Sequence, residues 1–183
     1  RFLQYIPDDF NRYIEPFFGG GAVYFHLEPE NAIINDANER LMTFYSQLRD
    51  QYPLMRQQLD EIQRVYELNQ AEYKRLKALT PDERVPNANE ELYYRMRELF
   101  NHPDDTYLDG VLYFFINKTA YSGMIRYNNN GDYNVPFGRY PNLNTRLVTQ
   151  QHSELLQGAK LFNLDYSRIF DMAQEDDFIF LDP

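Results

Sequence analysis

Residues 13–36 read Tyr13-Ile14-Glu15-Pro16-Phe17-Phe18-Gly19-Gly20-Gly21-Ala22-Val23-Tyr24-Phe25-His26-Leu27-Glu28-Pro29-Glu30-Asn31-Ala32-Ile33-Ile34-Asn35-Asp36. Tyr13 to Phe17 and Ala32 to Ile34 are short apolar runs that end in turn residues, as strands buried in a mostly parallel sheet do. Ala22 to Leu27, directly after the glycines, has helical composition, and the whole is a βαβ unit of about minimum length. Glycines after a first strand let the backbone approach a ligand, and an acid about 20 residues on accepts hydrogen bonds from ribose hydroxyls. Asp36 stands at about that distance from Glu15. A glycine turn and a capping Asp explain the same residues, and the pair does not distinguish nicotinamide, flavin and S-adenosylmethionine.

From Glu39 to about Thr119 the pattern becomes helical, with apolar residues at i, i+3 and i+4 spacing. Leu41, Phe44, Tyr45 and Leu48 form one set, Leu59, Ile62 and Tyr66 a second, Tyr73, Leu76 and Leu79 a third. Breaks at Pro53, Thr80-Pro81-Asp82 and His102-Pro103-Asp104 predict several short helices, and Asn87 to Asn89 suits the cap of one holding Leu92, Met96 and Leu99. Asn144 to Gln157, closed by Gly158, reads as a further helix. Strand character returns at Leu161 to Asp165 and at Phe178 to Asp182. The expectation is an α/β domain interrupted by a helical insert.

The 183 residues carry 18 Lys and Arg against 28 Asp and Glu, a formal charge of −10 that argues against a nucleic-acid partner. The average hides a local bias, because residues 117–160 hold Lys118, Arg126, Arg139, Arg146 and Lys160 against only Asp132 and Glu154. A basic face on an acidic body remains compatible with DNA, with weak non-specific affinity. No apolar run approaches the roughly 18 residues of a membrane span, and Arg1 to Phe10 lacks a signal peptide's apolar stretch, so a cytoplasmic protein is expected. Zero cysteines exclude a disulfide scaffold and a thiol nucleophile, and three scattered histidines give little support to a metal site.

Residues 121–142 are rich in Tyr, Asn, Gly and Pro, and Asn130-Gly131 lies between strand-like flanks, a strong hairpin signal. Arg on such a ribbon reaches guanine O6 and N7, Asn bonds phosphate or adenine edges, and Tyr wedges between bases. An ordinary exposed hairpin is the plain alternative. At the far end, Phe178 to Leu181 delivers Asp182-Pro183 to the carboxyl edge of the predicted sheet, where open parallel sheets bind ligands. Asp-Pro also simply terminates strands.

Glu15-Pro16-Phe17-Phe18-Gly19-Gly20-Gly21, Asn35-Asp36-Ala37-Asn38, the block from Asn117 to Tyr140 and the terminal Asp182-Pro183 occur in an order that resembles the Dam-type (D12 class) DNA adenine-N6 methyltransferases. The resemblance implies a Rossmann-like S-adenosylmethionine-binding α/β domain, residues 1–42 and 148–183, interrupted at 43–147 by a helical target-recognition domain with a DNA-reading β-hairpin at about 121–140. It implies that Glu15, Pro16, Phe17, Gly19 and Gly21 wall the methionine part of the cofactor, that Asp36 holds the ribose, and that Asp165-Tyr166 flanks the adenine. Asp182-Pro183 resembles the first half of the catalytic Asp-Pro-Pro-Tyr motif. Tyr121 matches an intercalating aromatic, Arg126 a guanine reader and Pro136 a residue on a thymine methyl. Asn128, Asn134 and Arg139 match phosphate contacts. Lys118 stands for a common Arg, Ser122 for Asn and Met124 for Leu.

The implied reaction is methyl transfer to N6 of a flipped adenine in double-stranded DNA, within a GATC-like site, by a monomer using S-adenosylmethionine and no metal. Asp182 and the Pro183 carbonyl would accept the two amino hydrogens, so the chemistry needs positioning more than a covalent nucleophile. A cognate restriction endonuclease is the expected companion. No Lys-rich glycine motif precedes Arg1 and no Pro-Tyr follows Pro183, so the chain is expected to be truncated at both ends. Two rival expectations are a non-catalytic DNA-binding protein with a degenerate cofactor site and a nucleotide-binding oxidoreductase. The latter leaves residues 117–140 unexplained.

Overall fold

The computed structural model describes residues 4, 6, 7 and 9–183. By its internal contacts the chain divides into two units, 1–52 with 149–183, and 53–148.

In the first unit a four-stranded sheet has the order β3-β2-β1-β4. The strands are β1 (Tyr13–Glu15), β2 (Ala32–Asn35), β3 (Ala159–Phe162) and β4 (Phe178–Ile179). Every pairing is parallel, with Ile14 opposite Ile33 and Ile179, and Ile34 opposite Leu161. Ile14, Ile33 and Ile169 form a buried cluster under the sheet. Helix α1 (Ala22–Leu27) joins β1 to β2, as the glycine-led composition predicts. Helix α2 (Glu39–Asp50) starts at Asn38, whose side chain accepts from the Leu41 amide at 3.2 Å. It buries Met42, Tyr45 and Leu48, so Met42 takes the inward place expected of Leu41. Helix α2 packs on β3 and α6 (Gln150–Leu156), and the division between the two contact units falls at 52/53 and 148/149.

The expected helix from Asn144 to Gln157 is divided instead. A 3-10 turn, Thr145–Leu147, ends in extended backbone at Val148. Helix α6 then starts at Thr149, whose hydroxyl and amide both meet the His152 ring in a capping box. An N-cap must be extended, so a cap at 149 forbids continuous helix through it.

The second unit is mostly helical. Helix α3 (Tyr52–Leu79) runs 28 residues without a break, longer than the short helices expected, because Pro53 lies in its first turn where no amide donor is needed. Helix α4 (Ala88–Asn101) is capped by Asn87, which accepts from the Asn89 amide at 3.0 Å. Its buried face is Asn89, Tyr93, Met96 and Phe100, one position round from Leu92 and Leu99. Helix α5 (Asp109–Thr119) is apolar and buried from Gly110 to Ile116 apart from half-buried Tyr113, with Asp109, Asn117 and Lys118 exposed at its ends. In the first unit helix α7 (Tyr166–Phe170) follows β3. No helix among the described residues is long and apolar enough to cross a membrane.

Candidate functional site

In the first unit, parallel strands bring four acids to one edge. Glu15 ends β1, Asp36 follows β2, Asp165 follows β3 and Asp182 follows β4. In the order β3-β2-β1-β4 the connection from β1 leads to one side while β4 lies on the other, the switch in strand order at whose carboxyl ends open parallel sheets bind ligands. The charge of Asp182 is felt at Glu15.

Glu15 is only 3% exposed and accepts a 2.7 Å hydrogen bond from the Tyr13 hydroxyl, itself fully buried. Burial pushes the Glu15 carboxyl up to about 7, the Tyr13 bond opposes that shift and Asp182 adds to it. The same desolvation, with the Glu15 charge, raises the Tyr13 phenol far above its ordinary range.

The glycine loop is tied down by Asp36. Its carboxylate accepts from the Gly19 amide at 2.9 Å and from the Asn38 amide at 2.8 Å, and the Tyr45 hydroxyl donates to the Gly19 carbonyl at 3.0 Å. Gly19 and Gly21 have positive φ, 48° and 64°. A Cβ on Gly21 would come within 2.6 Å of the Phe18 ring and 2.8 Å of Phe25, whereas Gly19 and Gly20 face open space. The loop is therefore shaped by glycine at one end and unobstructed at the other, which suits an approaching ligand.

Asn35, read in the sequence only as part of a run and given no role there, is the knot of the edge. It is 1% exposed and donates to the Pro16 carbonyl at 3.0 Å and the Leu164 carbonyl at 3.1 Å, while accepting from the Leu164 amide at 2.8 Å. One side chain thus joins the loops after β1 and β3. Phe17 packs its ring 5.3 Å from that of Tyr166, which is exposed. Asp165 caps α7 by accepting from the Ser167 amide and hydroxyl at 2.9 and 2.5 Å, and these bonds hold its carboxyl below the usual range. Asp182 and Pro183 are exposed.

In the second unit, residues 119–138 form an antiparallel ribbon held by few backbone bonds. Gly138 donates to the Thr119 carbonyl at 2.7 Å, Tyr121 to Pro136 at 2.9 Å, Asn134 to Arg126 at 3.1 Å and Asn128 to Asp132 at 2.8 Å. Neither arm is a continuous strand; only bridges Ala120–Phe137 and Tyr127–Tyr133 are formed. The Asn130-Gly131 turn is a three-residue loop, in which the Gly131 amide reaches the Asn128 carbonyl and Gly131 has φ 87°. The Asn128 side chain closes it, accepting from the amides of Asn130 and Asp132, both at 2.9 Å, so this residue is engaged within the turn.

The second arm alternates. Tyr133, Val135 and Phe137 are buried, whereas Asn134 and Pro136 lie on the other side. Helix α4 substitutes for a neighbouring strand: Asn101 donates to the Tyr133 carbonyl at 3.1 Å and accepts from its amide at 2.8 Å, and Tyr93 and Arg97 both donate to the Val135 carbonyl. Composition gives no signal for such side-chain pairing.

The first arm loops out between Tyr121 and Arg126, with Ser122 and Gly123 at φ 54° and 60°. Tyr121, Met124, Ile125 and Tyr127 are exposed there, and Ile125, at 64%, was not anticipated. Lys118 lies over the Phe114 ring at 5.8 Å. Arg126 donates through Nε to the Asn134 Oδ1 at 2.7 Å and through Nη2 to the Asn134 carbonyl at 3.1 Å. Arg139, at φ 57°, lies 3.7 Å from the Glu90 carboxylate and helps line a cavity of about 330 Å³ with Lys77 and Arg84.

Residues 1–183 match the family model of D12 class N6 adenine-specific DNA methyltransferases. The chain is 31% identical over 188 residues to the type II methyltransferase M.CviBI of Paramecium bursaria Chlorella virus NC1A, covering 100% of this chain and 62% of that protein. It is 32% identical over 183 residues to the type II methyltransferase M.MjaIII of Methanocaldococcus jannaschii, covering 94% and 57%. Against the DNA adenine methylase of Escherichia coli K12 it is 30% identical over 173 residues, covering 93% and 54%. The chain spans from about half to about three-fifths of the length of these curated relatives.

Proposed function

The chain belongs to the D12 class N6 adenine-specific DNA methyltransferase family, and on that premise we propose that it transfers a methyl group from S-adenosylmethionine to N6 of an adenine extruded from duplex DNA. The observation that carries the reading is the convergence of Glu15, the Asp36-anchored glycine loop, Asp165 and Asp182 at one edge of a parallel sheet with order β3-β2-β1-β4.

The residues suit the cofactor. The open space at Gly19 and Gly20 would admit a ligand close to backbone, the Phe17–Tyr166 pair would offer a surface for a purine, and the acids would complement the positive charge of the cofactor. When bound, the cofactor supplies an electrophilic methyl group on a sulfonium. Glu15 is held near the pH at which it changes charge, so it ionises readily beside a cation. Asp36 is the nearest acid to the loop and would meet the ribose hydroxyls with whichever lone pairs Gly19 and Asn38 leave.

The amino nitrogen of adenine has its lone pair drawn into the ring. Asp182 and the Pro183 carbonyl are consecutive acceptors, and by accepting both amino hydrogens they favour a pyramidal nitrogen with its lone pair free. The Asp182 carboxylate also stabilises the positive charge that develops on N6 until a proton departs. The base must leave the duplex for this to happen, and Tyr121, exposed on the looped-out arm, would fill the gap. A GATC-containing duplex is the proposed substrate. Radiolabelled methyl incorporation by the full-length protein tests the reading: transfer into adenine that Asp182→Ala abolishes supports it. DNA binding with neither cofactor binding nor methyl incorporation by the unmutated protein would leave a non-catalytic DNA-binding protein.

A further inference from the structure

The arginine most exposed to a reading role in the ribbon is already held on one side. Arg126 gives its Nε hydrogen and one Nη2 hydrogen to the side-chain and main-chain oxygens of Asn134, eight residues along the chain and opposite in the ribbon. Both distances, 2.7 and 3.1 Å, are those of formed hydrogen bonds. Nε and Nη2 make up the lateral edge of the guanidinium plane. A guanidinium has five N–H donors in a fixed fork, so three remain, and two of them define the end-on edge formed by Nη1 and Nη2. That edge matches the paired O6 and N7 acceptors of guanine in the major groove.

We propose that Asn134 is a specificity-positioning residue, which clamps the lateral edge of Arg126 so that only the end-on edge is presented to guanine. The assignment rests on the reading of the ribbon as a DNA-recognition element. The clamp is a duty separate from any phosphate contact, because it uses Oδ1 as acceptor whereas a phosphate would take a hydrogen bond from Nδ2. An unclamped arginine on this exposed arm would have to give up rotamer freedom on each encounter, and its lateral edge would be free to bond other acceptors, phosphate included. The clamp removes both the cost and the ambiguity. Asn134 is itself fixed, since it sits between Tyr133 and Val135, whose side chains are buried and whose backbones are bonded to Asn101, Tyr93 and Arg97.

The test is competition binding by the full-length protein with S-adenosylmethionine present, on GATC duplexes carrying guanine or 7-deazaguanine, which lacks the N7 acceptor. The unmutated protein is expected to bind the 7-deazaguanine duplex about tenfold more weakly, the loss of one base contact. Asn134→Ala is expected to shrink that penalty to less than threefold. Asn134→Asp keeps the acceptor for Nε and is expected to restore the penalty, even though its charge weakens binding to both duplexes; at a phosphate contact it would restore nothing. If Asn134→Ala retains the full penalty, the clamp is refuted while guanine reading stands. If the unmutated protein shows no penalty, guanine reading by Arg126 fails and the clamp fails with it. Matched circular dichroism spectra and melting temperatures for the variants keep misfolding from imitating either result.

Discussion

The Tyr13 hydroxyl donates to the Glu15 carboxylate at 2.7 Å, two residues apart on the same face of β1, with both side chains withdrawn from water. The bond satisfies the phenol, but it does not offset the desolvation of the carboxylate, whose proton is held up to about 7. Glu15 therefore binds a proton more tightly in the folded chain than in the unfolded one. Its contribution to stability is fully present below the ordinary carboxyl value of 4.5 and is lost as pH rises through about 7. Glu15→Gln removes this dependence. The variant is expected to unfold at a temperature close to the parent's at pH 5 and to be more stable by about 2–3 kcal/mol at pH 8, as read by thermal or urea unfolding. An equal difference at both pH values would show that Glu15 does not titrate in this window.

The same carboxyl has a second consequence for ligand binding. A cationic cofactor favours the ionised form, so the affinity of the parent for S-adenosylmethionine is expected to fall as pH drops below about 7. Isothermal calorimetry between pH 6 and pH 8 reads it, with proton release accompanying binding at the lower end. Glu15→Gln is expected to bind at least tenfold more weakly at pH 8 and to lose the pH dependence.

Gly20→Ala and Gly21→Ala separate space from shape in the loop. At Gly20 an added methyl meets nothing within 4 Å and stability should change by less than about 0.5 kcal/mol, while cofactor affinity falls if the ligand uses that space. At Gly21 the φ of 64° and the Phe18 and Phe25 rings both oppose a Cβ, and a loss of about 2–3 kcal/mol is expected. Chemical denaturation of the two variants provides the comparison.

Asp177 ties the amino-terminal ends of β1 and β4. Its side chain is 1% exposed and accepts from Arg12 Nε at 3.0 Å and Nη2 at 2.5 Å, and Arg12 holds its carboxyl below the usual range. Asp177→Ala leaves the guanidinium with the Met172 carbonyl but no counter-charge, and is expected to cost about 2–3 kcal/mol at pH 7. Because the native pKa is lowered, the penalty should diminish as pH falls through the carboxylate range, where the parent loses the same pair. Urea titrations at pH 7 and pH 3 distinguish this from a packing defect, which would cost the same at both.

The two ribbon arginines should fail differently. Arg126→Ala is expected to lower discrimination against a changed guanine by about 1–3 kcal/mol. Arg139→Ala is expected to weaken binding to all duplexes alike and to reduce the dependence of log affinity on log salt by about one unit. Salt series on cognate and scrambled DNA read both.

What could be read before the structure followed from local rules. A glycine run after an apolar strand, an acid after the next strand and Asn87 ahead of a helix all act through neighbours in the chain. The misreadings came from partners far away in sequence. Met42 rather than Leu41 faces inward because β3 and α6 lie against α2. The helix from Asn144 breaks because the Thr149–His152 box favours a start there, a signature present in the sequence but hidden by a His in place of the usual Glu or Gln. Asn35 and Asn101 received no role because nothing in their local sequence shows that Asn35 bonds backbone 19 and 129 residues away and Asn101 backbone 32 residues away.

Support of the Tyr133–Phe137 arm by side chains of α4, instead of by a strand ladder, carries an evolutionary consequence. A ladder would spread register across both arms, so that any exchange in one would be felt in the other. Here the inward residues and their helix partners fix the scaffold, while Asn134 and Pro136 face outward and owe it little. Under the proposed DNA-reading role, target preference would drift by paired exchange at 126 and 134, or by change at 136, without refolding the support. On that proposal the arm would be a replaceable reading head, and a library varied at those three positions would search sequence preference while leaving the fold alone.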